Sequence, residues 1–476
     1  MIIPRESVTE EGWGQAIDRL AAGDLTLLGL WGDQPDVYMA TFEEKTGDIA
    51  VLTYTCTNGT YPSVGARHPP AIRLERTIRD LSGLDAVGSP DSRKWLDHGV
   101  WHAPQPLSYA FLPAEGEGLH QIAVGPVHAG IIEPGHFRFT ANGEHVVRLE
   151  QRLGYTHKGI ESLMSGATLD RAAKLAGRTS GDSTVAYAFA FAQAAEAALQ
   201  VTVPARAVYF RALMAELERL ANHFGDIGAI CNDASFAVMH AQCGILRERC
   251  LRAAVACFGH RLMMDVIVPG GVARDIAADG PAQLHALLAE IRRVFPRLIE
   301  LYDNTASLQD RTVTTGIVRA DYVRQFGAGG YVGRASSRNF DARRVLGYAP
   351  YGDLAFEVPV LSAGDVNARV WIRIREVVQS LALIDQILER MPAGEVLTSL
   401  ESKGEVCEGL ALVEAFRGDV LVWLRIGGDG RVARCHLRDA SWFQWPLLET
   451  AVEGNIVADF PLCNKSFNCS YSGHDL

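Results

Sequence analysis

Hydrophobic residues recur at two different spacings along this chain. Near the start, short apolar runs at 25–30, 37–42 and 49–55 are separated by Gly, Asp and Pro, the pattern of β-strands joined by turns. A helix is predicted at 71–82, where charged residues gather on one side of an otherwise apolar segment. This first region therefore has the pattern of an α+β unit.

The pattern changes after a further group of predicted strands. Alternating residues predict a strand at 122–127 and a hairpin across Asn142-Gly143. Apolar residues then recur at helical spacing, as Val208, Leu213, Leu217 and Leu220 do. Long helices are predicted at 168–175, 182–199, 205–226, 242–259, 280–304 and 365–391. After a loop-rich stretch at 313–352 and the last of these helices, a meander of strands is predicted at 406–412, 418–426 and 430–437.

The expected fold class is α+β, with two units and a linker. Residues 1–112 form the first α+β unit, and 113–118 has the Pro, Gly and Glu content of a linker. Residues 119–476 form a mainly helical domain with small peripheral sheets. At 476 residues, the chain is long enough for each unit to have its own core.

Composition narrows the function classes. The net charge of −11 argues against a nucleic-acid partner, which would require a basic surface. No unbroken apolar run reaches membrane-spanning length. The first residues lack the basic and apolar regions of a signal peptide, so a cytoplasmic location is expected. The nine cysteines include no C-x-x-C pair and are expected to be buried and reduced.

The most informative polar stretch opens the helix predicted at 182–199. Ser180 and Ser183 stand in an S-x-x-S frame with Asp182 between them and Tyr187 one turn later. Two cysteines in this frame would form half of a thiolate metal site, but hydroxyl groups rarely ionise near neutral pH and are poor ligands for soft metals. The alternative is a helix N-cap, in which Ser or Asp accepts hydrogen bonds from free backbone N–H groups.

Several motifs follow one another in an order that resembles one family, the large subunits of energy-converting membrane-bound [NiFe] hydrogenases and the related quinone-site subunit of respiratory complex I. The motifs are Gly125-Pro126-Val127-His128, Glu133-Pro134-Gly135-His136-Phe137, His157-Lys158-Gly159-Ile160-Glu161, Glu216-Leu217-Glu218-Arg219-Leu220, Pro269-Gly270-Gly271-Val272, Asp310-Arg311-Thr312-Val313, Val413-Glu414-Ala415 and Arg434-Cys435-His436-Leu437-Arg438. The first unit resembles the small partner subunit of complex I through Tyr61-Pro62-Ser63 and Arg73-Leu74-Glu75-Arg76. That subunit is fused to the large one in formate-hydrogenlyase-type hydrogenases.

The resemblance implies a nickel–iron site held by two C-x-x-C pairs, and this chain departs from it. The four ligand places fall on Ser180, Ser183, Ser470 and Gly473. No nickel–iron centre is therefore expected, and an active hydrogenase is rejected. The chain also lacks the spaced cysteines of an iron–sulfur cluster, so no cofactor is expected to be bound firmly.

Other family positions remain as candidates. Glu133 matches a proton-relaying glutamate, although it could instead satisfy backbone amides. Glu161 matches a ligand of a structural Mg²⁺, but an ion pair is the favoured alternative because Mg²⁺ needs several oxygen ligands. His128 is a candidate proton carrier, because the ordinary pKa of histidine lies near neutral pH. The alternative is that it is a hydrogen-bonded structural histidine. The family's quinone-holding tyrosine and histidine are absent, so Tyr187 and Asp182 are proposed substitutes.

The leading hypothesis is a peripheral subunit on the cytoplasmic face of the cell membrane, within a complex-I-like or hydrogenase-like oxidoreductase. The resemblance implies a [4Fe-4S]-carrying small subunit, a ferredoxin-like subunit and membrane subunits as partners. Electrons would pass to an acceptor such as quinone, with Glu133, Asp182, Tyr187 and His128 supplying protons. A different class is a non-catalytic scaffold. A metal enzyme with oxygen and nitrogen ligands is disfavoured because no H-x-x-x-H pattern is present.

Overall fold

The computed structural model describes residues 5–99, 101, 109–128, 130 and 132–476. Residues 1–4, on which the signal-peptide prediction partly rests, lie outside this range. The first region contains a four-stranded sheet in the order β1-β4-β3-β2, with helices against it. Its elements are β1 (Arg5–Ser7), α1 (Glu10–Ala22), β2 (Thr26–Asp33), β3 (Asp36–Glu43), β4 (Asp48–Thr55), β5 (Thr60–Pro62), α2 (Ile72–Ser82) and β6 (Asp85–Val87).

The larger region begins with a three-stranded antiparallel sheet and continues as a helical body. Its elements up to the longest helices are β7 (Leu119–Val124), β8 (His136–Asn142), β9 (His145–Arg152), α3 (Ile160–Met164), α4 (Leu169–Ala176), α5 (Thr184–Leu199), α6 (Ala205–Asp233) and α7 (Ala237–Phe258). They are followed by β10 (Ile267–Val268), β11 (Gly271–Val272), α8 (Gly280–Asn304), α9 (Ala306–Thr312), α10 (Ala320–Phe326), α11 (Gly330–Ala335), α12 (Ala342–Val345) and α13 (Val366–Arg390).

The last part of the chain forms a second three-stranded sheet and closes the helical body. Its elements are β12 (Cys407–Ala415), β13 (Gly418–Ile426), β14 (Val432–Arg438), α14 (Ser441–Val452), α15 (Phe460–Phe467) and α16 (Tyr471–Asp475). A mixed fold of helices with small sheets was predicted, and it is confirmed.

Helix α5 is the central element of the larger region. Almost all of its residues are buried, as its Ala-rich sequence with no polar face requires. It packs against β12, where a Cβ atom at Gly409 would lie 2.0 Å from the carbonyl oxygen of Ala194. Only a glycine permits this close approach of strand and helix, which fixes the sheet over the helix.

The first region and the end of the chain share one hydrophobic core. Trp13 and Trp95, from the first region, belong to the same buried cluster as Trp445 of α14. An ion pair of 2.7 Å between Arg73 of α2 and Glu449 of α14 crosses the same boundary. The division at 113–118 stays a prediction, but packing across it is extensive.

Most predicted elements are present, but helix α1 was not predicted, and β7 and α7 begin three and five residues before their predicted starts. Helix α6 continues to Asp233, beyond the predicted end, and the stretch predicted to be loop-rich contains the short helices α10, α11 and α12. Helix α5 starts at Thr184, after a single 3₁₀ turn at Gly181–Ser183. Within the described residues, no helix combines the length and the apolar character needed to cross a membrane.

Candidate functional site

Two distant parts of the sequence meet at the start of α5. The Ser180 and Ser470 hydroxyl oxygens lie 2.9 Å apart, within hydrogen-bonding distance. Ser470 also caps α16, because its hydroxyl accepts a hydrogen bond from the Gly473 N–H at 2.9 Å. The fold therefore brings the Ser180–Ser183 frame and the Ser470–Gly473 frame together, as the resemblance implies.

An arginine that sequence reasoning missed lies between these frames. The Arg417 guanidinium donates to both carboxylate oxygens of Asp182, at 2.8 Å to Oδ1, and its Nη1 also donates to the Ser183 hydroxyl at 3.2 Å. The Ser180 hydroxyl donates to Asp182 Oδ1 at 2.8 Å. Burial opposes ionisation of Asp182, but Arg417 outweighs it, so the pKa of this carboxyl is lowered.

The fourth ligand place is occupied by another carboxylate. A Cβ atom at Gly473 would lie 2.6 Å from Asp439 Oδ2 and 2.9 Å from the Ser470 hydroxyl. The same Asp439 oxygen accepts a hydrogen bond from the Tyr187 hydroxyl at 2.7 Å. Burial, reinforced by Asp439, raises the pKa of Tyr187 well above its ordinary value. Tyr187 is therefore a neutral hydrogen-bond donor in this structure.

We call this group the substituted centre: Ser180, Asp182, Ser183, Tyr187, Arg417, Asp439, Ser470 and Gly473. Its hydroxyl and carboxylate oxygens are engaged with one another or with the Arg417 cation. Such a donor set does not fit a nickel–iron site, which requires thiolates. Among the residues that the structure describes, no cluster of three or more His, Cys, Asp or Glu side chains could hold a metal ion.

The N-cap interpretation is wrong for Ser183. This residue precedes α5, but its side chain makes no capping hydrogen bond. Instead, the Glu218 carboxylate of α6 accepts from the backbone N–H groups of Val185 at 2.7 Å and Ala186 at 3.2 Å. A carboxylate from a neighbouring helix thus satisfies the first turn of α5 and leaves the serine hydroxyls available to the substituted centre.

A small cavity adjoins this capping carboxylate. Its volume is about 100 Å³, and its lining includes Asp182, Glu218 and Asn222, the cations Arg247 and Arg261, and apolar residues. Burial, with a contribution from the Asp182 charge, raises the pKa of Glu218 to about 8. The two backbone hydrogen bonds from α5 act in the opposite direction and favour the carboxylate. The sequence showed Glu218 only as part of a family motif, because its proximity to Asp182 depends on the packing of α6 against α5.

Glu161 lies apart from the substituted centre, in an ionic contact with β14. Its carboxylate is 2.7 Å from the Arg434 guanidinium and 2.9 Å from His436 Nδ1, and it accepts from the Leu437 N–H. Burial opposes ionisation, but Arg434 and His436 outweigh it and lower the pKa of Glu161 to about 2. A cationic neighbour in contact with the carboxylate does not fit a Mg²⁺ site, which needs further oxygen ligands.

The remaining predicted site residues lie at the edge of this region. Glu133 is exposed, and its carboxylate accepts from the Ser472 N–H of α16 at 3.0 Å. The His128 ring packs edge-on against Phe137, with centroids 5.5 Å apart. Burial lowers the pKa of His128, and the positive charge of Lys465 adds to the effect. Helix α16 thus connects Glu133 to the substituted centre through the backbone rather than through side chains.

This chain is similar to one family profile and to one chain of a solved membrane complex. A family profile described as "Respiratory-chain NADH dehydrogenase, 49 Kd subunit" matches residues 233–406. A solved structure of the membrane-bound sulfane sulfur reductase, an archaeal respiratory membrane complex, contains a chain with the same fold at a TM-score of 0.71. The two chains are 24% identical, and the match covers 76% of this chain and 99% of the other.

Relatives with higher identity then define the family. Formate hydrogenlyase subunit 5 of Escherichia coli is 31% identical over 436 residues, which cover 87% of this chain and 77% of the relative. An NADH-quinone oxidoreductase subunit of Phocaeicola vulgatus is 29% identical over 500 residues, which cover 96% of both chains. The chain belongs to the family that unites hydrogenase large subunits with the 49 kDa subunit of complex I.

Proposed function

We propose that this chain is a peripheral subunit of a membrane-bound oxidoreductase of the complex-I-like or hydrogenase-like type. Support comes from its relatives, which are named as formate hydrogenlyase and NADH-quinone oxidoreductase subunits. In this proposal it sits on the cytoplasmic face of the membrane, against membrane subunits. A small subunit that holds a [4Fe-4S] cluster and a ferredoxin-like subunit bring electrons to it.

The proposal includes the absence of a nickel–iron centre. The observation that carries this part is the 2.9 Å contact between the Ser180 and Ser470 hydroxyls. These two residues occupy ligand places from opposite ends of the larger region, and they bond to each other. Gly473 provides no ligand atom, and the Asp439 carboxylate fills the space beside it.

In the leading form of the proposal, an acceptor such as quinone is reduced beside the substituted centre. Protons for that reduction pass through the chain's own titratable groups, of which Asp182, Tyr187, Glu133 and His128 are the candidates. Asp182 is ionised beside Arg417, so it relays a proton and does not supply one. The cavity beside Asp182 and Glu218 supports this form, because water there would connect buried acids to the solvent.

A second form, a non-catalytic scaffold, is favoured by a different observation. Asp182 is paired with Arg417, and Tyr187 is bonded to Asp439, so both groups are satisfied without a substrate. Such mutual satisfaction is typical of groups that hold a structure together. In this form the chain keeps the fold and the docking surfaces of its family while chemistry takes place elsewhere.

The first experiment is metal analysis of the complex purified through this chain, together with a quinone-reduction assay on the same sample. We expect iron from the partner subunits and no stoichiometric nickel. Nickel in this subunit would overturn the proposal. Quinone reduction without nickel supports the redox form.

Two variants then separate the two forms. Tyr187→Phe removes the hydroxyl that bonds Asp439, and Tyr209→Phe on the partly buried side of α6 is the matched control. The redox form predicts slower quinone reduction in the Tyr187 variant only. The scaffold form predicts unchanged turnover in both variants, with the complex fully assembled.

A further inference from the structure

A second buried polar group contacts Phe416, as the substituted centre does. The Arg417 guanidinium lies 4.5 Å from the centroid of the Phe416 ring, and the His223 ring lies 6.2 Å from the same centroid. Around His223 lie seven charged side chains, all at most 2% exposed. We call this group, with His223, the buried charge cluster: Glu216, Arg219, His223, Arg334, Asp341, Arg343, Glu376 and Glu414.

The ion pairs of this cluster join five elements. Arg343 of α12 bonds Asp341, the N-cap of the same helix, at 2.7 Å and Glu216 of α6 at 2.8 Å. Arg334 of α11 bonds Glu376 of α13 at 2.5 Å and Glu414 of β12 at 2.8 Å. Arg334 also lies 3.5 Å from Asp341, so it contacts three carboxylates, and Arg343 contacts two.

The third arginine contributes less. The Arg219 guanidinium is 3.4 Å from Glu216 and 3.9 Å from Glu376. Two of its hydrogen bonds go instead to the backbone carbonyl oxygens of Glu414 and Ala415. Its charge is thus shared between carboxylates that already have a closer arginine.

The charges in the cluster do not cancel. Four carboxyl groups face three guanidinium groups in a region closed to solvent. An unpaired ionised carboxylate is costly to bury, so a proton is the cheapest way to remove the excess charge. The question is which group carries it.

His223 is a poor carrier. Its Nε2 lies 2.6 Å from Glu376 Oε2, but its Nδ1 has no hydrogen-bond partner. A doubly protonated ring would therefore bury an N–H group without an acceptor. Burial lowers the pKa of His223, with Glu376 acting in the opposite direction.

Glu414 is the least compensated carboxylate. It has one hydrogen bond from Arg334 and one from the Ala342 N–H at 2.9 Å. Two other carboxylates, Asp341 of the α12 N-cap and Asp419 of β13, add repulsion, which Arg334 and, to a smaller extent, Arg219 oppose. Asp419 itself forms an ion pair of 2.5 Å with Arg438.

The nearest tyrosine does not help to ionise this carboxyl either, because the Tyr348 hydroxyl accepts from the Glu414 backbone N–H and not from its side chain. Burial, together with Asp341, raises the pKa of Glu414 to about 7. Glu376 and Glu216 behave differently, since nearby arginines outweigh burial and lower the pKa of each.

We propose that the buried charge cluster is a proton-binding site, and that the Glu414 carboxyl carries its proton. The site contacts Phe416, as Arg417 does, and gives up its proton as the pH rises through neutrality. It is a property of the folded chain and does not depend on the redox chemistry proposed above.

The test is infrared spectroscopy of the full chain, which detects the carbonyl stretch of a protonated carboxyl group. Glu218 has a raised pKa as well, so Glu218→Gln serves both as a matched control and as a background without that signal. In this background we expect a protonated-carboxyl band that disappears with a midpoint near pH 7. The absence of any such band would overturn the proposal.

A second variant assigns the band to a residue. Glu414→Gln replaces a neutral carboxyl with a neutral amide, so we expect the band to be lost and the thermal midpoint at pH 6 to change little. Glu376→Gln removes an ionised partner of Arg334 and with it the excess negative charge, so we expect a much larger fall in the thermal midpoint and a band that disappears at a lower pH. The proposal fails if the band survives Glu414→Gln, or if both variants are equally destabilised at pH 6.

Discussion

The substituted centre and the buried charge cluster are two polar groups that both contact Phe416, and they satisfy their members in different ways. The substituted centre depends on hydroxyl groups, which can donate or accept according to their surroundings. The buried charge cluster depends on carboxylates and guanidinium groups, whose roles are fixed. The first can adapt to a lost member, whereas the second leaves a buried charge without its partner.

The largest expected effect is in the buried charge cluster. Glu376→Ala leaves Arg334 and His223 without their shared carboxylate, and breaking a fully buried pair costs about 3–5 kcal/mol in the free energy of unfolding. Denaturant unfolding of the purified chain measures this loss in the free energy of unfolding. Glu408→Ala, which removes a partly exposed partner of Arg425, is the control and should cost about 1 kcal/mol or less. Equal losses would remove the distinction between the two regions.

The two regions should also respond to acid in opposite directions. The pKa of Glu414 is raised from 4.5 to about 7, so the folded chain binds the proton more tightly than the unfolded chain between these values. Its contribution therefore makes the protein less stable as the pH rises through this window, by on the order of 2 kcal/mol. The pKa of Asp182 is lowered below 3.8, so its contribution is lost only as the pH falls through and below that value.

Unfolding free energies measured from pH 3 to pH 8 should separate these contributions. Relative to the wild type, Glu414→Gln should remove the part of the slope between about pH 5 and pH 7 that Glu414 contributes, and the part due to Glu218 should remain. Asp182→Asn should change the profile only at the acid end. A Glu414→Gln profile parallel to the wild type would contradict the difference in sign.

A smaller effect is expected for the cation of the substituted centre. Arg417→Met leaves the Asp182 carboxylate without its guanidinium partner. The Asp182 side chain is 35% exposed. Water can therefore replace part of the lost contact, and we expect a cost of about 1–2 kcal/mol. In the double variant with Asp182→Asn, most of the free energy of unfolding lost through Arg417→Met should be recovered. Failure to recover would mean that Arg417 acts mainly through its bond to the Asn468 carbonyl.

The smallest effect is expected for the hydroxyl pair. Ser180→Ala removes the hydrogen bonds to Ser470 and Asp182, and Ser470→Ala removes those from Ser180 and the Gly473 N–H. Each variant should cost about 0.5–1.5 kcal/mol. Removing both hydroxyls should cost less than the sum, because the bond between them is lost only once. Ser162→Ala, at an exposed position of α3, is the control. A loss as large as that of Glu376→Ala would show that the hydroxyl contact does not adapt.

Ser180, Ser183, Ser470 and Gly473 could be assigned to the predicted ligand places because each frame is local, and this assignment stays a prediction. Ser180 and Ser183 are three residues apart, and so are Ser470 and Gly473. Arg417 and Asp439 could not be assigned in this way. Arg417 reaches Asp182 across 235 positions, and its direction depends on the turn between β12 and β13. The motif Val413-Glu414-Ala415 ends two residues before Arg417, so it did not include this arginine.

The helices from α4 to α8 and α13 were predictable for a similar reason, whereas α1 and the short helices α10, α11 and α12 were not predicted. Helix α8 begins and ends where its apolar spacing and flanking residues predict. The helix N-cap at Ser183 failed because Glu218, from another helix, provides the hydrogen bonds instead. Local preference predicts a cap, and tertiary contact decides which side chain forms it.

The core shared by Trp13, Trp95 and Trp445 has a consequence for the order in which this protein is made. More than 300 residues must leave the ribosome after Trp95 before Trp445 is available to complete that core. Contacts of such long sequence separation form slowly, and the apolar surface that awaits them stays exposed during synthesis. We therefore expect the nascent first region to depend on chaperones until α14 has emerged.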